Sequence, residues 1–438
     1  MSNVNHFCGL TDSDILENAI RNRTADGVVV ISKRESDIEP ERDYWLLDRA
    51  ILLPENTTVI LKNCKLKLSD RCRDNFFRSA NCGLGIAFPE KISNIHIRGE
   101  GTCILEGADH PRATGDSSKL LHAPCPHLAE DICRIGEWIP EERRKPDKLD
   151  FWDVHNHSYG TDSGKEGESQ YGDWRGIGIL LANVDRFSIS NLKIVKSHGW
   201  GISLEACENG RIEKIEFEST MHKEIDGMLM NMENQDGVDI RNGCHHIVIS
   251  DITGHTGDDV IALTAVANPE YLPGGSLRTT HVMHNDWTVR ERDIHDIIIR
   301  NVIAHSYLCY TIRLLPALAS IYNVVIDGVI DTQTDCKASA GTLLLGDSGF
   351  YGKNLPDSMR NISISNVICN SENAIIVEGY LTNSVITNVI NRNPDCPAIA
   401  VVRENGLHNV ATGSLVSASH QDGGGAKIEF IKSREGRP

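Results

Sequence analysis

The feature that most constrains the fold is a short pattern of alternating apolar residues that ends in Asn, Asp or Gly. Apolar residues at every second position predict a strand with one buried face, and the polar residue predicts a bend before the next short strand. The pattern occurs five times, over residues 187–192, 247–252, 297–302, 324–329 and 362–367.

The spacing of this repeat favours stacked coils. Ile189 and Ile249 lie 60 residues apart and span two coils, whereas Ile249 and Ile299 are 50 residues apart and Ile299 and Ile326 only 27. Repeats of this length are typical of solenoids and propellers, but a propeller needs four strands in each repeat and we identify two or three. A β-sandwich is the remaining alternative. We predict an all-β, single-stranded parallel β-helix, a solenoid that forms one domain over residues 1–438.

Two acidic strings lie about one coil apart, Asn-Gln-Asp-Gly-Val-Asp at 234–239 and Thr-Gly-Asp-Asp-Val-Ile at 256–261. Asp236 and Asp258 are separated by 22 residues. In a parallel β-helix this offset stacks Asp236, Asp258 and Asp259 on one face, because neighbouring strands lie about 4.8 Å apart. Gly257 permits a bend that turns both consecutive aspartates outward. Such a carboxylate cluster suits glycoside hydrolysis, and ordinary solvated turns are the alternative interpretation.

The pattern also predicts a cap and two insertions. Within residues 1–50, an amphipathic helix over 12–23 and a first strand over 27–31 form an N-terminal cap that covers the open end of the stack. The alternation stops over residues 108–174 and 266–293. Loops of this length are usually functional, and we expect both insertions to surround the cleft.

Charge and cysteine content exclude several classes of function. The net charge of −17 argues against nucleic-acid binding, which requires clustered Lys and Arg. Neither a signal peptide nor a membrane-spanning segment is visible. The 13 cysteines form no dense framework and indicate reduced thiols in a cytoplasmic protein. His122, Cys125, His127 and Cys133 have zinc-like spacing but lack paired Cys-x-x-Cys elements, so we predict no metal and no cofactor.

Several strings in the same order resemble the family-28 glycoside hydrolases, the polygalacturonase family of the pectate-lyase-like β-helix superfamily. In that family a Ser-Pro-x-Trp-like string precedes Asn-Thr-Asp-Gly-x-Asp, Gly-Asp-Asp, Gly-His-Gly and Arg-Ile-Lys. The resemblance extends over roughly residues 174–315 and is looser towards the N-terminus. The matching strings here occupy residues 174–181, 184–194, 197–203, 234–239, 257–260 and 312–314.

The resemblance implies a right-handed parallel β-helix that hydrolyses a glycosidic bond with inversion. It assigns the general acid to Asp258 and the activation of water to Asp236 and Asp259. It assigns a basic residue that contacts substrate to Arg313.

The sequence departs from the family at the residues that hold substrate. Leu315 stands where the family has Lys, which favours a neutral or differently linked sugar, although a single Arg can still bind a carboxylate. Gly-His-Gly is missing, and His281 or His284 takes the role of its histidine. Three further residues are predicted to bind substrate: His198, Asp239 and Trp200, the last by stacking on a sugar ring, with partial burial as its alternative.

We therefore predict an inverting, exo-acting glycoside hydrolase whose partner is a pectin-like or related oligosaccharide. The two insertions and the expected cytoplasmic location, where only short sugars occur, favour exo action. A β-helix polysaccharide lyase or uronate epimerase, with a Lys, Arg or Tyr base, is one alternative. A non-catalytic carbohydrate-binding solenoid is another, because fold alone does not determine function.

Overall fold

The computed structural model describes most of the chain. The described residues are 2–109, 176–266, 282, 289–334, 340–347, 354–417 and 428–430, except 37, 71, 73, 84, 85, 87, 226, 227, 233, 394, 395 and 404.

Two long parallel sheets form the body of the molecule. The first contains, in spatial order, β1 (Ser2–Asn3), β2 (Val28–Ser32), β5 (Thr57–Leu68), β7 (Ile92–Glu106), β9 (Val184–Val195), β11 (Glu208–Glu218), β15 (His245–Thr256), β17 (Ile294–Ser306), β19 (Ile321–Asp331), β21 (Met359–Cys369), β23 (Leu381–Asn391) and β25 (Leu407–Ser417), with β3 (Trp45–Leu47) beside β5. The second contains β4 (Ile51–Leu53), β6 (Phe77–Ser79), β8 (Ile179–Ala182), β10 (Ile202–Glu205), β14 (Val238–Arg241), β16 (Ile261–Val266), β18 (Tyr310–Ala317), β20 (Gly341–Leu345), β22 (Ile375–Val377), β24 (Ile399–Val401) and β26 (Ile428–Phe430).

The chain passes from one sheet to the other and returns one coil further along, which is the path of a parallel β-helix. Each strand therefore pairs with the equivalent strand of the next coil, as β9 does with β11 and β11 with β15. Two further strands, β12 (His222–Ile225) and β13 (Met228–Asn231), form a separate antiparallel pair. The predicted solenoid is confirmed.

The predicted bends are present as single residues with left-handed backbone inside the long strands. They are Asn191, Asp251, Asn301, Gly328 and Asn366, with φ between 55° and 74°. In β9 the bend lets Ile189 and Leu192, three residues apart, both face the core, which uninterrupted alternation forbids. Asn and Asp tolerate this backbone region better than most residues. Their side chains also bond between coils, since Asn301 Nδ2 donates to Asp251 Oδ1 over 3.1 Å.

Aliphatic side chains of successive coils are stacked in the core. Burial of each such side chain contributes about 1.5–3 kcal/mol. One aligned column of isoleucines consists of Ile97, Ile189, Ile212, Ile249, Ile299, Ile326, Ile364 and Ile386, all fully or almost fully buried.

A helix covers the first coil, as the sequence predicts. Helix α1 (Asp12–Arg21) ends two residues before the predicted boundary. Its N-terminus forms a capping box in which the Thr11 side chain accepts from Asp14 N and Asp14 accepts from Thr11 N. Leu16 and Ile20 lie on the buried face of the helix. The helix thereby shields the apolar end of the stack.

Most of the predicted insertions 108–174 and 266–293 lies outside the described residues, as do His122, Cys125, His127 and Cys133. The described part of the second insertion includes a 3₁₀ helix, Val289–Arg292. Another such helix, Val4–His6, precedes α1. In the described ranges, no helix is long and apolar enough to cross a membrane.

The left-handed bends give a direct test of the fold. We expect Asn301→Val to lower the free energy of unfolding by about 1–2 kcal/mol, because a β-branched residue is strained at positive φ. Asn301→Gly relieves this strain and removes only the bond to Asp251. Urea unfolding of the full chain measures both. Arg300→Val, on the adjacent exposed position, is the control, and an equal loss there would contradict the role of the bend.

Candidate active site

The two acidic strings meet at the start of two neighbouring strands of the second sheet. Strands β14 and β16 pair with Val238 opposite Ile261, so one coil here contains 23 residues. The bond from Gly237 N to Asp259 O, 2.9 Å, belongs to the same register. Continued back by two residues, this register places Asp236 opposite Asp259. The expected 22-residue coil, with Asp236 opposite Asp258, is therefore wrong by one residue, although the three carboxylates do come together.

A tight turn before β16 orients both consecutive aspartates. Asp258 Oδ1 accepts from Asp259 N over 2.9 Å, and Asp258 remains half-buried. Asp259 is buried, and its Oδ1 accepts from Tyr310 N in the next coil over 2.9 Å. A Cβ at Gly257 would lie 2.7 Å from Gln235 Oε1 and 2.8 Å from Met221 N. Close approach of the backbone therefore requires glycine at this position.

Gln235 supports the turn that presents Asp236. Its side-chain nitrogen donates to Ser197 O over 2.7 Å, and its side-chain oxygen accepts from Met221 N over 2.8 Å. Its carbonyl accepts from Gly257 N and Asp258 N over 3.2 and 3.3 Å. The sequence analysis missed this role, because it depends on contacts between coils.

Arg313 faces the cluster from β18, one coil beyond β16. Its Nη1 lies 3.5 Å from Asp259 Oδ2, and its Nη2 lies 4.0 Å from Asp347 Oδ1. Asp347 is buried and follows β20. The sequence analysis missed Asp347, although Gly346-Asp347 repeats, one coil after Arg313, the Gly-Asp string that precedes β16.

Asp239 belongs to the same group through strand register. Along the second sheet, Ser203, Asp239, Ala262 and Arg313 occupy equivalent positions on successive coils. Only the small side chain of Ala262 separates Asp239 from Arg313 in this column. Asp239 is buried, with 1% of its surface exposed.

Burial makes the cluster retain protons. Desolvation, followed by the charge of Asp258, raises the pKa of Asp236 well above its usual range. Desolvation also raises the pKa of Asp239, against the opposing effect of Arg241. It raises the pKa of Asp259 to about 7, although Arg313 opposes the change. Among the described residues, Asp236 Oδ1 and Asp239 Oδ2 are buried oxygens without a hydrogen-bond partner.

His198 contacts the beginning of the first insertion. Its Nε2 accepts from Ala108 N over 2.7 Å, and burial lowers its pKa to about 3, so the ring is neutral. Lys223 Nζ donates to Ala108 O beside it. This hydrogen bond of His198 is to the backbone of Ala108 and not to a carboxylate of the cluster, and the role of His198 in substrate binding stays a prediction.

Trp200 packs at the side of the cluster. The guanidinium carbon of Arg241 lies 4.5 Å from the centre of its ring, and the half-buried ring contacts a small apolar cluster that includes Leu180 and Val282. Partial burial is therefore present, and stacking on a sugar stays a prediction. His281 and His284 lie outside the described residues.

One group of described residues combines the ligand types that a metal ion requires. Asp258, Asp259 and Cys309 each offer one ligand atom, and these atoms lie within 4.8 Å of one another.

Fold and site together define a parallel β-helix with a cluster of buried carboxylates on its second sheet. Residues 160–277 match the family model of glycosyl hydrolases family 28. This stretch contains Asp236, Asp239, Asp258 and Asp259 but not Arg313. The resemblance to family 28 found in the sequence is confirmed, and the family is one of glycoside hydrolases.

One solved structure supports the fold, and a second is also similar. The polygalacturonase from Erwinia carotovora ssp. carotovora is 14% identical, with a TM-score of 0.53 over 94% of this chain and 93% of that chain. The exopolygalacturonase from Thermotoga maritima is 17% identical, with a TM-score of 0.47 over 94% and 92%. No curated protein sequence matches the chain significantly. The right-handed parallel β-helix is confirmed.

The raised pKa of Asp236 predicts a stability that depends on pH. A carboxyl with a raised pKa contributes stability that is complete below about pH 4 and is lost as the pH rises through the folded-state value. We therefore expect Asp236→Asn to unfold with about 2 kcal/mol more free energy than the unmodified chain at pH 7, and with little difference at pH 4.

Urea unfolding at both pH values measures the difference. Asp327→Asn is the control of opposite sign, because bonds from Ser365 and Asn366 lower the pKa of Asp327. This control should be less stable than the unmodified chain at pH 7. A gain for Asp236→Asn that is equal at pH 4 and pH 7 would contradict the effect of the carboxyl charge.

Proposed function

We propose that the protein is an inverting glycoside hydrolase that acts on pectin-like or related oligosaccharides. The observation that carries this proposal is the convergence of Asp236, Asp258 and Asp259 from two adjacent coils, with Arg313 beside Asp259. The family match over the acidic strings and the likeness in fold to a polygalacturonase support it.

The different burial of the carboxylates suits different roles. Asp258 is half-buried and therefore accessible to a glycosidic oxygen, to which its carboxyl donates a proton. Asp236 and Asp259 are buried and hold the attacking water on the opposite face of the sugar. The water gives its proton to one of these carboxylates as it bonds to the anomeric carbon. The leaving oxygen departs with the proton from Asp258, and the configuration inverts.

Proton sharing supports an acid and a base in one cluster. Carboxylates that are buried together cannot all ionise at low cost, so the group titrates as a unit and retains protons near neutral pH. The pKa of Asp259, about 7, leaves this carboxyl partly ionised under those conditions. Protonated and ionised carboxyls then coexist, as the reaction requires.

The cationic groups favour a sugar that is neutral or differently linked from that of a standard polygalacturonase. Arg313 already faces the carboxylates of Asp259 and Asp347. Leu315 is 2% exposed and offers no charge where the family has Lys. The positive charge at this position is thus partly neutralised before an acidic sugar arrives.

Exo action and a cytoplasmic location are also part of the proposal. Exo action is supported by contacts between described residues of the two insertions and the site. Val282 N donates to Glu205 Oε2 over 2.8 Å beside Trp200, and Ala108 N donates to His198. A reducing compartment is supported by the cysteines, since no disulfide joins any two of the described ones.

Substitution of the general acid tests the proposed catalysis. We expect Asp258→Asn to lower kcat on an active oligosaccharide by about 10²–10⁴-fold, because Asn cannot supply the proton. Asp251→Asn is a matched control on the preceding strand, at a left-handed position that Asn also adopts. Turnover is measured on both variants after circular dichroism has verified the fold. Full turnover by folded Asp258→Asn would refute the assignment.

Product analysis tests stereochemistry and mode of cleavage. On a reducing-end-labelled oligosaccharide we expect the first product to have the inverted anomeric configuration by NMR and to be released from one chain end. Dominant internal cleavage within the first minutes would exclude exo action. An unsaturated product that absorbs in the ultraviolet would instead identify a lyase.

A further inference from the structure

Cys309 places a thiol among the catalytic carboxylates. It lies immediately before β18 and is partly exposed. Its sulfur and one oxygen each from Asp258 and Asp259 lie within 4.8 Å of one another, and no other group of described residues combines three such ligand atoms. Burial and then the charges of Asp258 and Asp259 raise the pKa of the thiol. The proposed hydrolysis gives this thiol no task.

A third carboxylate oxygen, close to this group, has no hydrogen-bond partner among the described residues. Asp236 Oδ1 is buried and accepts no hydrogen bond among the described residues, and 93% of the Asp236 surface is covered. The register places Asp236 opposite Asp259, and Asp258 is the charged residue that affects it most strongly. A buried oxygen without a donor is costly unless a ligand satisfies it.

The donor set selects the kind of ion. Calcium and magnesium require oxygen ligands only, and magnesium also an octahedral site. Zinc accepts sulfur and carboxylate oxygen together and prefers four ligands in a tetrahedron. Zn–O distances of about 2.0–2.2 Å and a Zn–S distance of about 2.3 Å place ligand atoms about 3.5 Å apart. Ligand atoms within 4.8 Å of one another reach this geometry through small side-chain rotations.

We propose that Asp258, Asp259 and the thiolate of Cys309 bind one zinc ion beside the buried carboxyl of Asp236, and that the ion inhibits the enzyme reversibly. On binding, the thiol and any protonated carboxyl release their protons to solvent, three bonds from the protein to the ion form, and a water molecule completes the four ligands without any redox change. The inhibition rests on the proposed function, because the ion occupies the oxygen of Asp258 that donates the proton. The binding itself does not depend on that function.

Electrostatics support such binding. The charges of Asp239, Asp258 and Asp259 all act on Asp236. Arg313 contacts Asp259 but is shared with Asp347. A divalent ion at this position reduces the repulsion among the carboxylates in a medium of low dielectric constant.

Calorimetric titration of the full chain with zinc chloride, after removal of metal with a chelator, tests the site. We expect one zinc ion per chain and at least a tenfold weaker affinity for Cys309→Ser and for Asp259→Asn. Cys8→Ser removes an exposed thiol far along the chain and should leave the affinity unchanged. The absence of binding, an unchanged affinity in Cys309→Ser, or an equal loss in Cys8→Ser would overturn the proposal.

Cobalt(II) provides a second measurement that does not require a variant to fold. Bound to the unmodified chain, it should show the near-ultraviolet absorption of a cobalt–thiolate bond, and zinc should displace it. Binding without this absorption would refute Cys309 as a ligand.

Activity assays separate this proposal from the proposed function. Turnover with chelator should exceed turnover with saturating zinc at least tenfold in the unmodified enzyme, and this ratio should fall towards one in Cys309→Ser. Zinc binding by a chain without glycosidase activity would overturn the proposed function alone. Hydrolysis unaffected by zinc would overturn the inhibition alone.

Discussion

In-register stacking of parallel coils is the constraint on which the rest of the structure depends. Each coil places its side chains about 4.8 Å from those of the next, so residues far apart in sequence become neighbours at a fixed spacing. The active-site column shows this directly, because Asp239, Ala262 and Arg313 occupy one position on three successive coils. The insertion between residues 266 and 289 lengthens one coil without changing this register. Catalytic geometry is thus determined by the core that keeps the coils aligned.

The same stacking has an energetic cost at the cluster. Carboxylates brought together by register and removed from water retain protons, which shifts their pKa values towards neutrality. An isolated strand or hairpin could not hold such charges in place. The aligned aliphatic column of the first sheet and its counterpart in the second supply the burial that offsets this repulsion. The arrangement of these carboxylates therefore depends on the aligned core.

The fold could be predicted because its determinants are local and repeated. The strand at Ile189 and the bend at Asn191 are recognised from the residues next to them in sequence. The same pattern then identifies the other repeats. The pairing of Asp236 was predicted one residue out of register, because it was inferred from the spacing of the two acidic strings, whereas the strands that follow them pair at a spacing of 23 residues. Gln235 and Asp347 were missed for a related reason: their roles arise from contacts with other coils. Gly257 was predicted to permit a bend. The structure gives another reason for glycine at this position, because close approach of the backbone excludes any side chain there.

The position of positive charge distinguishes this chain from the family-28 pattern. Arg241, Thr264 and Leu315 are equivalent on three successive coils, so the cation lies two coils away from the leucine that replaces lysine. Arg241 is buried beside Trp200, and the charges of Glu205 and Asp239 partly offset the effect of burial, which lowers its pKa. This guanidinium packs on the ring of Trp200, and its charge opposes the rise in the pKa of Asp239. Leu315 is itself buried, so the column offers no counter-charge to a carboxylate at the position where the family-28 pattern has Lys.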